Sequence, residues 1–222
     1  MTERVRLQRA RVLTAAVDLA DSIGIDSLSM RRLAAELGVV PMALYKHVAD
    51  KDALVDGMVD VVLAELGPLE PGEDWRDTVR RRVLATREVL LRHPWFRRVL
   101  ETRPTRSLSA LAYTDSLIAV FREAGFSDPL THHLMHAFGS RMWGFTQELA
   151  DDGGDPPPPE ALAALAQQFP NIAAMAAVAG HDGTSVVAQG CDDQYEFEFA
   201  LDLLLDGFGR LYERDWRPTP RS

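Results

Sequence analysis

The sequence predicts an all-α fold: an N-terminal helix-turn-helix module of three helices followed by a larger helical domain, about nine or ten helices in total. Three observations carry this reading. Apolar residues recur with a 3.6-residue period in segment after segment, helix starts and stops are marked by Ser, Asp, Pro and Gly, and no β-hairpin alternation or internal repeat is visible.

From Gln8 to Ile23, Val12, Leu13, Ala16, Val17, Leu19, Ala20 and Ile23 keep a helical phase. Gly24 is placed to end that helix, with Ile25 folding back against it. Ser29 reads as the N-cap of a second helix, Met30–Leu37, and Gly38 stops it. Val39-Val40 is the turn. Pro41, whose missing amide hydrogen costs nothing at the first helical position, opens a third short helix through about Val48. Asp50 caps a fourth, from Lys51 to about Leu66, with a buried stripe of Val55, Met58, Val59, Val62 and Leu66.

Gly67–Glu73, with Pro68, Pro71 and Gly72, is a break. Beyond it only helices are expected: Asp74 to about Arg92, stopped by His93-Pro94; Trp95–Glu101; Ser107–Ala124, ended by Gly125; and Pro129–Ala150, apolar on more than one side and so buried against more than one neighbour. Asp151–Pro159 is a proline-rich surface loop. An alanine-rich helix from Glu160 to about Ala179 follows, and a loop leads to a last helix, Asp193 to about Arg214. The expected division is residues 1–50 for the helix-turn-helix, 51–66 for a connecting helix and 67–222 for a second domain.

With 222 residues, 46% of them apolar, the chain can fill a real core. Its single cysteine, Cys191, rules out an intrachain disulfide and any Cys-based zinc cluster, which suits a reducing cytosol. Asp18 interrupts the first apolar stretch, which argues against a signal peptide, and no segment has the ~20 apolar residues of a membrane span. A cytoplasmic protein is expected.

Charge is uneven along the chain. Residues 1–51 hold eight Lys and Arg against six Asp and Glu, a net of +2, so the rest carries −11 of a total of −9. Such asymmetry points the basic end at an anion, although a solvated helix face produces a similar local excess.

Catalytic signatures are missing: there is no G-x-S-x-G elbow, phosphate-binding glycine loop or HExxH, so no enzyme is predicted. His132 and His136 have the i, i+4 spacing of metal ligands. With only His133 beside them they read as helix histidines near a core or pocket, and neither a metal nor a cofactor is expected. The Arg80-Arg81-Arg82 run reads as a solvated helix face.

The third helix is different. A recognition helix lies in the major groove, reads bases with its first residues and grips phosphate with its flanks. Here the first residues are Pro41, Met42 and Ala43, which can meet thymine methyl groups but cannot offer a bidentate hydrogen bond. Tyr45, Lys46, His47 and Lys51 suit phosphate, and Lys51 stands at a helix start whose amides also favour an anion. Leu44 and Val48 face the core. Arg31 is the candidate for a guanine contact. Weak base readers beside strong phosphate grips imply that DNA shape and half-site spacing supply much of the specificity.

The stretch SLSMRRLAAELGVVPMALYKHVADKDALVDGM resembles the DNA-binding module of the tetracycline repressor (TetR) family over about the first sixty residues. The resemblance implies base contacts from Arg31, Pro41, Met42 and Ala43 and backbone contacts from Tyr45, His47 and Lys51. The chain departs from the family's namesake at Met30, Pro41, Met42 and Lys46, which implies a different operator. Thr102-Arg103-Pro104 is similar to that repressor's ligand-contacting loop, Glu148 falls on an acidic position near its metal-bound ligand, and Val99 stands where its metal-holding histidine would be.

The resemblance therefore implies a homodimeric repressor of a palindromic double-stranded DNA operator, released by a small, largely apolar inducer. The pocket is expected to draw on Trp95, Phe96, Val99, Thr102, Arg103, His132, Met135, His136, Gly139, Trp143 and Glu148. The residues by themselves fit equally a packed core there. An activator, a regulator answering to a protein partner, and a helical binding protein with a vestigial helix-turn-helix stay open at this point.

Overall fold

The computed structural model describes residues 7–70, 72–103, 107–144, 159–171, 173–174 and 193–218. Among these the secondary structure is helical, with no strand. The helices are α1 (Arg9–Ile23), α2 (Met30–Glu36), α3 (Pro41–Leu44), α4 (Lys51–Ala64), α5 (Trp75–Arg92), α6 (Pro94–Thr102), α7 (Leu108–Glu123), α8 (Asp128–Gly144), α9 (Pro159–Gln168) and α10 (Asp193–Glu213).

The expected caps form. The Ser29 side chain accepts from the Arg32 amide and Asp50 Oδ1 from the Ala53 amide, each satisfying a donor that the first turn leaves without an intrahelical partner. Two further caps, Asp74 to Asp77 N and Ser107 to Ala110 N, start α5 and α7. Gly24 and Gly38 take positive φ, at 78° and 65°, where a Cβ would be strained, and the chain turns at both. After Gly24 it makes a short 3₁₀ turn, Ile25–Ser27, before α2.

The third helix is shorter than its sequence pattern predicts. It runs only Pro41–Leu44, and the amides of His47 and Val48 both turn back to the Leu44 carbonyl, at 2.8 and 3.1 Å. That tightened last turn buries Leu44 and Val48 and ends the helix before Tyr45. The fourth helix also ends early, at Ala64. Helix α8 is described to Gly144, and the expected extension to Ala150 lies outside the described residues, as do Asp151–Pro158 and the segment containing Cys191.

The chain divides into two compact units, residues 1–135 with 217–222, and residues 136–216. In the first, α1 lies on α4. Val12, Leu13, Ala16, Val17 and Ala20 meet Leu54, Val55, Met58, Val59 and Val62, all at most 7% exposed. Burial of each larger side chain contributes about 1.5–3 kcal/mol. Gly57 permits the approach, because a Cβ there would lie 2.6 Å from Leu13 Cδ2.

Helices α5 and α7 then pack beside this layer. Trp75, Phe121 and Phe126 form an aromatic cluster with centroids 4.8–5.9 Å apart, in the tilted and edge-on geometries that ring quadrupoles favour. Arg82 donates to the carbonyls of Leu66 and Gly67, at 2.7 and 3.1 Å, and so fastens the end of the α4 segment to α5. The Arg80–Arg82 run is therefore not a purely solvated face, because two carbonyls beyond the last turn of α4 need donors. In the second unit Arg141 donates to the Glu196 carbonyl at 2.7 Å, and its guanidinium lies 5.1 Å from the Phe197 ring centroid.

Candidate nucleic-acid interface

Helix α3 is held from behind and open in front. Leu33, Ala34, Leu44 and Val48 are at most 3% exposed and seat the short helix against α2 and the rest of the module. Val40, Met42 and Tyr45 stand outward at 68, 70 and 45% exposure. Such exposure of three large apolar side chains at one short turn is costly in water unless a partner covers them. Pro41 and Lys46 are also exposed, while Ala43 and His47 are half-buried. Arg31 is exposed on α2, and Lys51 opens α4.

Of the eight predicted DNA-facing residues, Pro41, Met42 and Ala43 lie on α3, Tyr45, Lys46 and His47 on the turn that follows it, Arg31 in the first turn of α2 and Lys51 at the start of α4. The expected Asp50 cap bears on Lys51. The Ala53 amide at the start of α4 is already taken by Asp50 at 2.7 Å, so the anion affinity of that end is shared with its own cap. Val40 was read only as turn; its exposure makes it a further apolar contact beside Met42. No sequence signal separates it from Val39, since both are apolar and only the turn geometry decides which faces out.

The side chains expected to line a ligand pocket are placed less uniformly. Trp95, Phe96 and Val99 are buried on α6. The Trp95 indole donates to Asp21 Oδ1 at 2.6 Å. The exposed Thr102 bonds its hydroxyl to the Arg98 carbonyl at 2.8 Å. Arg103 pairs with Asp52 and Asp56 of α4. His132 and His136 are exposed, and Met135 and Gly139 half-buried. The Trp143 side chain and Glu148 lie outside the described residues. Among the described residues no group of three or more His, Cys, Asp or Glu is arranged to hold a metal ion, and no helix is long and apolar enough to cross a membrane.

Sequence reading missed the polar seam along α6. His93, read only as part of a helix stop, is 6% exposed and lies between Asp21 of α1 and Glu65 after α4, with Nδ1 to Asp21 Oδ2 at 2.9 Å and Nε2 to Glu65 Oε1 at 3.1 Å. Arg98 pairs with Asp26, and Arg92 with Glu65. The partners are 27 to 72 residues apart, so no local pattern marks them.

A capped helix-turn-helix with an outward-facing recognition turn, built onto further helices, defines a helix-turn-helix DNA-binding regulator. Comparison with known proteins agrees. Residues 12–58 match the model for bacterial regulatory proteins of the tetR family, and residues 67–212 match the tetracyclin repressor-like C-terminal domain. The chain spans about half the length of the curated relatives it matches first; one is an HTH-type transcriptional regulator of Saccharopolyspora erythraea, 39% identical over 121 residues, 54% of this chain and 51% of that one. The class G tetracycline repressor protein of Vibrio anguillarum is 30% identical over 210 residues, covering 93% of this chain and 95% of its own. A crystal structure of a possible TetR family regulator from Streptomyces coelicolor A3(2) is 31% identical, with a TM-score of 0.67 over 92% of this chain and 100% of that one. The chain belongs to the TetR family of transcriptional regulators.

Proposed function

We propose that this protein is a homodimeric repressor that binds a palindromic operator and is released by a small, largely apolar inducer. The observation that carries the DNA half of this reading is the outward presentation of Val40, Met42, Tyr45 and Lys46 beside Arg31 and Lys51, on a helix-turn-helix whose opposite side is buried. In this reading the apolar leaders meet thymine methyl groups and the basic flanks meet phosphate.

Dimerisation is supported by α10. Tyr195, Phe199 and Leu203, spaced four apart, are 64, 53 and 54% exposed, and a Cβ added at Gly207 would meet nothing within 4 Å. Such a stripe fits the same stripe of a second copy. Two modules held by that contact would enter successive major grooves about 34 Å apart. The likeness to the class G tetracycline repressor protein of V. anguillarum supports repression. Release follows when the ligand prefers the conformer whose half-site spacing is wrong, since it shifts the equilibrium only by its differential affinity.

The test is a gel-shift against fragments of the genome flanking the gene. Saturable, salt-sensitive retention of one fragment is expected; no such binding to any fragment sinks the reading. A thermal-shift screen of small molecules against the same protein then finds the inducer, since a ligand of the folded state raises the midpoint by mass action. A hit that leaves the gel-shift unchanged would deny it that role.

A further inference from the structure

Arg103 stands where α6 ends. Its backbone is extended, with φ −76° and ψ 132°, and its amide still bonds the Val99 carbonyl at 3.1 Å. The guanidinium reaches to the start of α4, 51 residues away in sequence: Nη1 lies 3.3 Å from Asp52 Oδ1, Nη2 donates to the Asp52 carbonyl at 3.2 Å, and Nη2 also pairs with Asp56 Oδ1. The arginine is 19% exposed, but its partners are 87 and 52% exposed. Pairs this open to water contribute little to stability.

Their location gives them another consequence. Asp52 follows Lys51 directly, and Asp56 is roughly 7.5 Å farther along the helix axis than Lys51 at 1.5 Å per residue. That is within the Debye length of about 8 Å at physiological salt. Left bare, Asp52, Asp56 and the capping Asp50 would outnumber Lys51 at the end of α4 that faces phosphate, and the DNA backbone would be repelled. Arg103, paired with two of the three, offsets one unit of that charge.

We infer that Arg103 acts as an electrostatic clasp on the DNA-binding end: while it holds Asp52 and Asp56, α4 accepts phosphate, and drawing it away at the end of α6 leaves two carboxylates without their counter-charge, which lowers DNA affinity. This rests on the DNA-binding reading above. It makes Arg103 a positioning residue for DNA affinity, engaged with the protein's own carboxylates. It also assigns a regulatory route that needs no rotation of the recognition helix.

The test uses the full chain and two labelled duplexes, the retained genomic fragment and one of unrelated sequence, titrated at about 50 mM and about 200 mM salt. Four proteins are compared: wild type, Arg103→Gln, Asp52→Asn with Asp56→Asn, and all three changes together. Arg103→Gln is expected to weaken both duplexes about three- to tenfold at the lower salt and less at the higher. The loss should vanish in the Asn background, and the Asn pair alone should bind tighter than wild type. An Arg103→Gln loss of equal size in both backgrounds would mark a structural tie and overturn the inference, as would no loss. Should Arg103→Gln fail to fold by circular dichroism, the Asn pair decides: tighter binding upholds the clasp, and unchanged or weaker binding refutes it. Wild type binding neither duplex defeats the DNA-binding reading instead.

Discussion

Asp21 and His93, 72 residues apart in sequence, meet with Nδ1 2.9 Å from Oδ2, and the same carboxylate takes the Trp95 indole hydrogen at 2.6 Å. The other ring nitrogen of His93 lies 3.1 Å from Glu65 Oε1. One residue after α5 thereby ties α1 to the end of α4.

Asp21→Ala is expected to cost about 1–3 kcal/mol, because it strands two buried donors, His93 Nδ1 and Trp95 Nε1, without acceptors. Urea unfolding measures it. A midpoint equal to wild type would show that water replaces the carboxylate without loss.

Tyr113 ties α7 to α5 through a 2.9 Å hydrogen bond with Thr86, and the Arg82 guanidinium lies 5.1 Å from its ring centroid. Burial pushes its phenol above the usual value of 10.0, against the opposing pull of the Thr86 hydrogen bond and the Arg82 charge. A folded value above the unfolded one means that the folded state holds the proton longer. The contribution is then whole below the unfolded value and is lost as pH rises from there through the raised folded value. Tyr113→Phe should flatten that alkaline decline in urea midpoints taken across the range; an identical slope would place the decline elsewhere.

Base reading and phosphate gripping separate by chemistry. Replacing thymine by uracil in the retained fragment removes only methyl groups, at about 0.8 kcal/mol or roughly fourfold in affinity for each one contacted. Wild type should show this loss, and Met42→Ala should show a smaller one. Lys51→Ala should instead weaken all sequences alike and reduce the salt slope by about one. A Met42→Ala protein that discriminates thymine from uracil as fully as wild type would remove Met42 from the readers.

Phe199→Glu with Leu203→Glu places two charges on the α10 stripe, and burying them unpaired in an apolar contact is prohibitive. Sedimentation should show a monomer with helicity retained and operator affinity greatly reduced. A persistent dimer would move the interface off this stripe.

Local chemistry made much of the module legible in advance. Ser29 and Asp50 cap because a side-chain oxygen three residues before a free amide has few other places to bond, and Gly24 and Gly38 turn because they lack a Cβ. The 3.6-residue period grouped Val12, Leu13, Ala16, Val17, Leu19, Ala20 and Ile23, all of them buried except the half-buried Leu19 and the exposed Ile23, and the apolar Leu44 and Val48 form the seat of the recognition helix. Boundaries were less legible: Tyr45 to Val48 look helical by composition, yet the chain tightens at Leu44 to bury Val48.

The sequence by itself determined an all-helical regulator with a helix-turn-helix at its start, because caps, periodicity and turn glycines act over a few residues. Only the tertiary structure decided that Arg103 clasps α4, that His93 joins α1 to α4, and that Val40 rather than Val39 faces outward. Those outcomes depend on groups brought together from distant parts of the chain, where spacing along the sequence carries no record of distance in space.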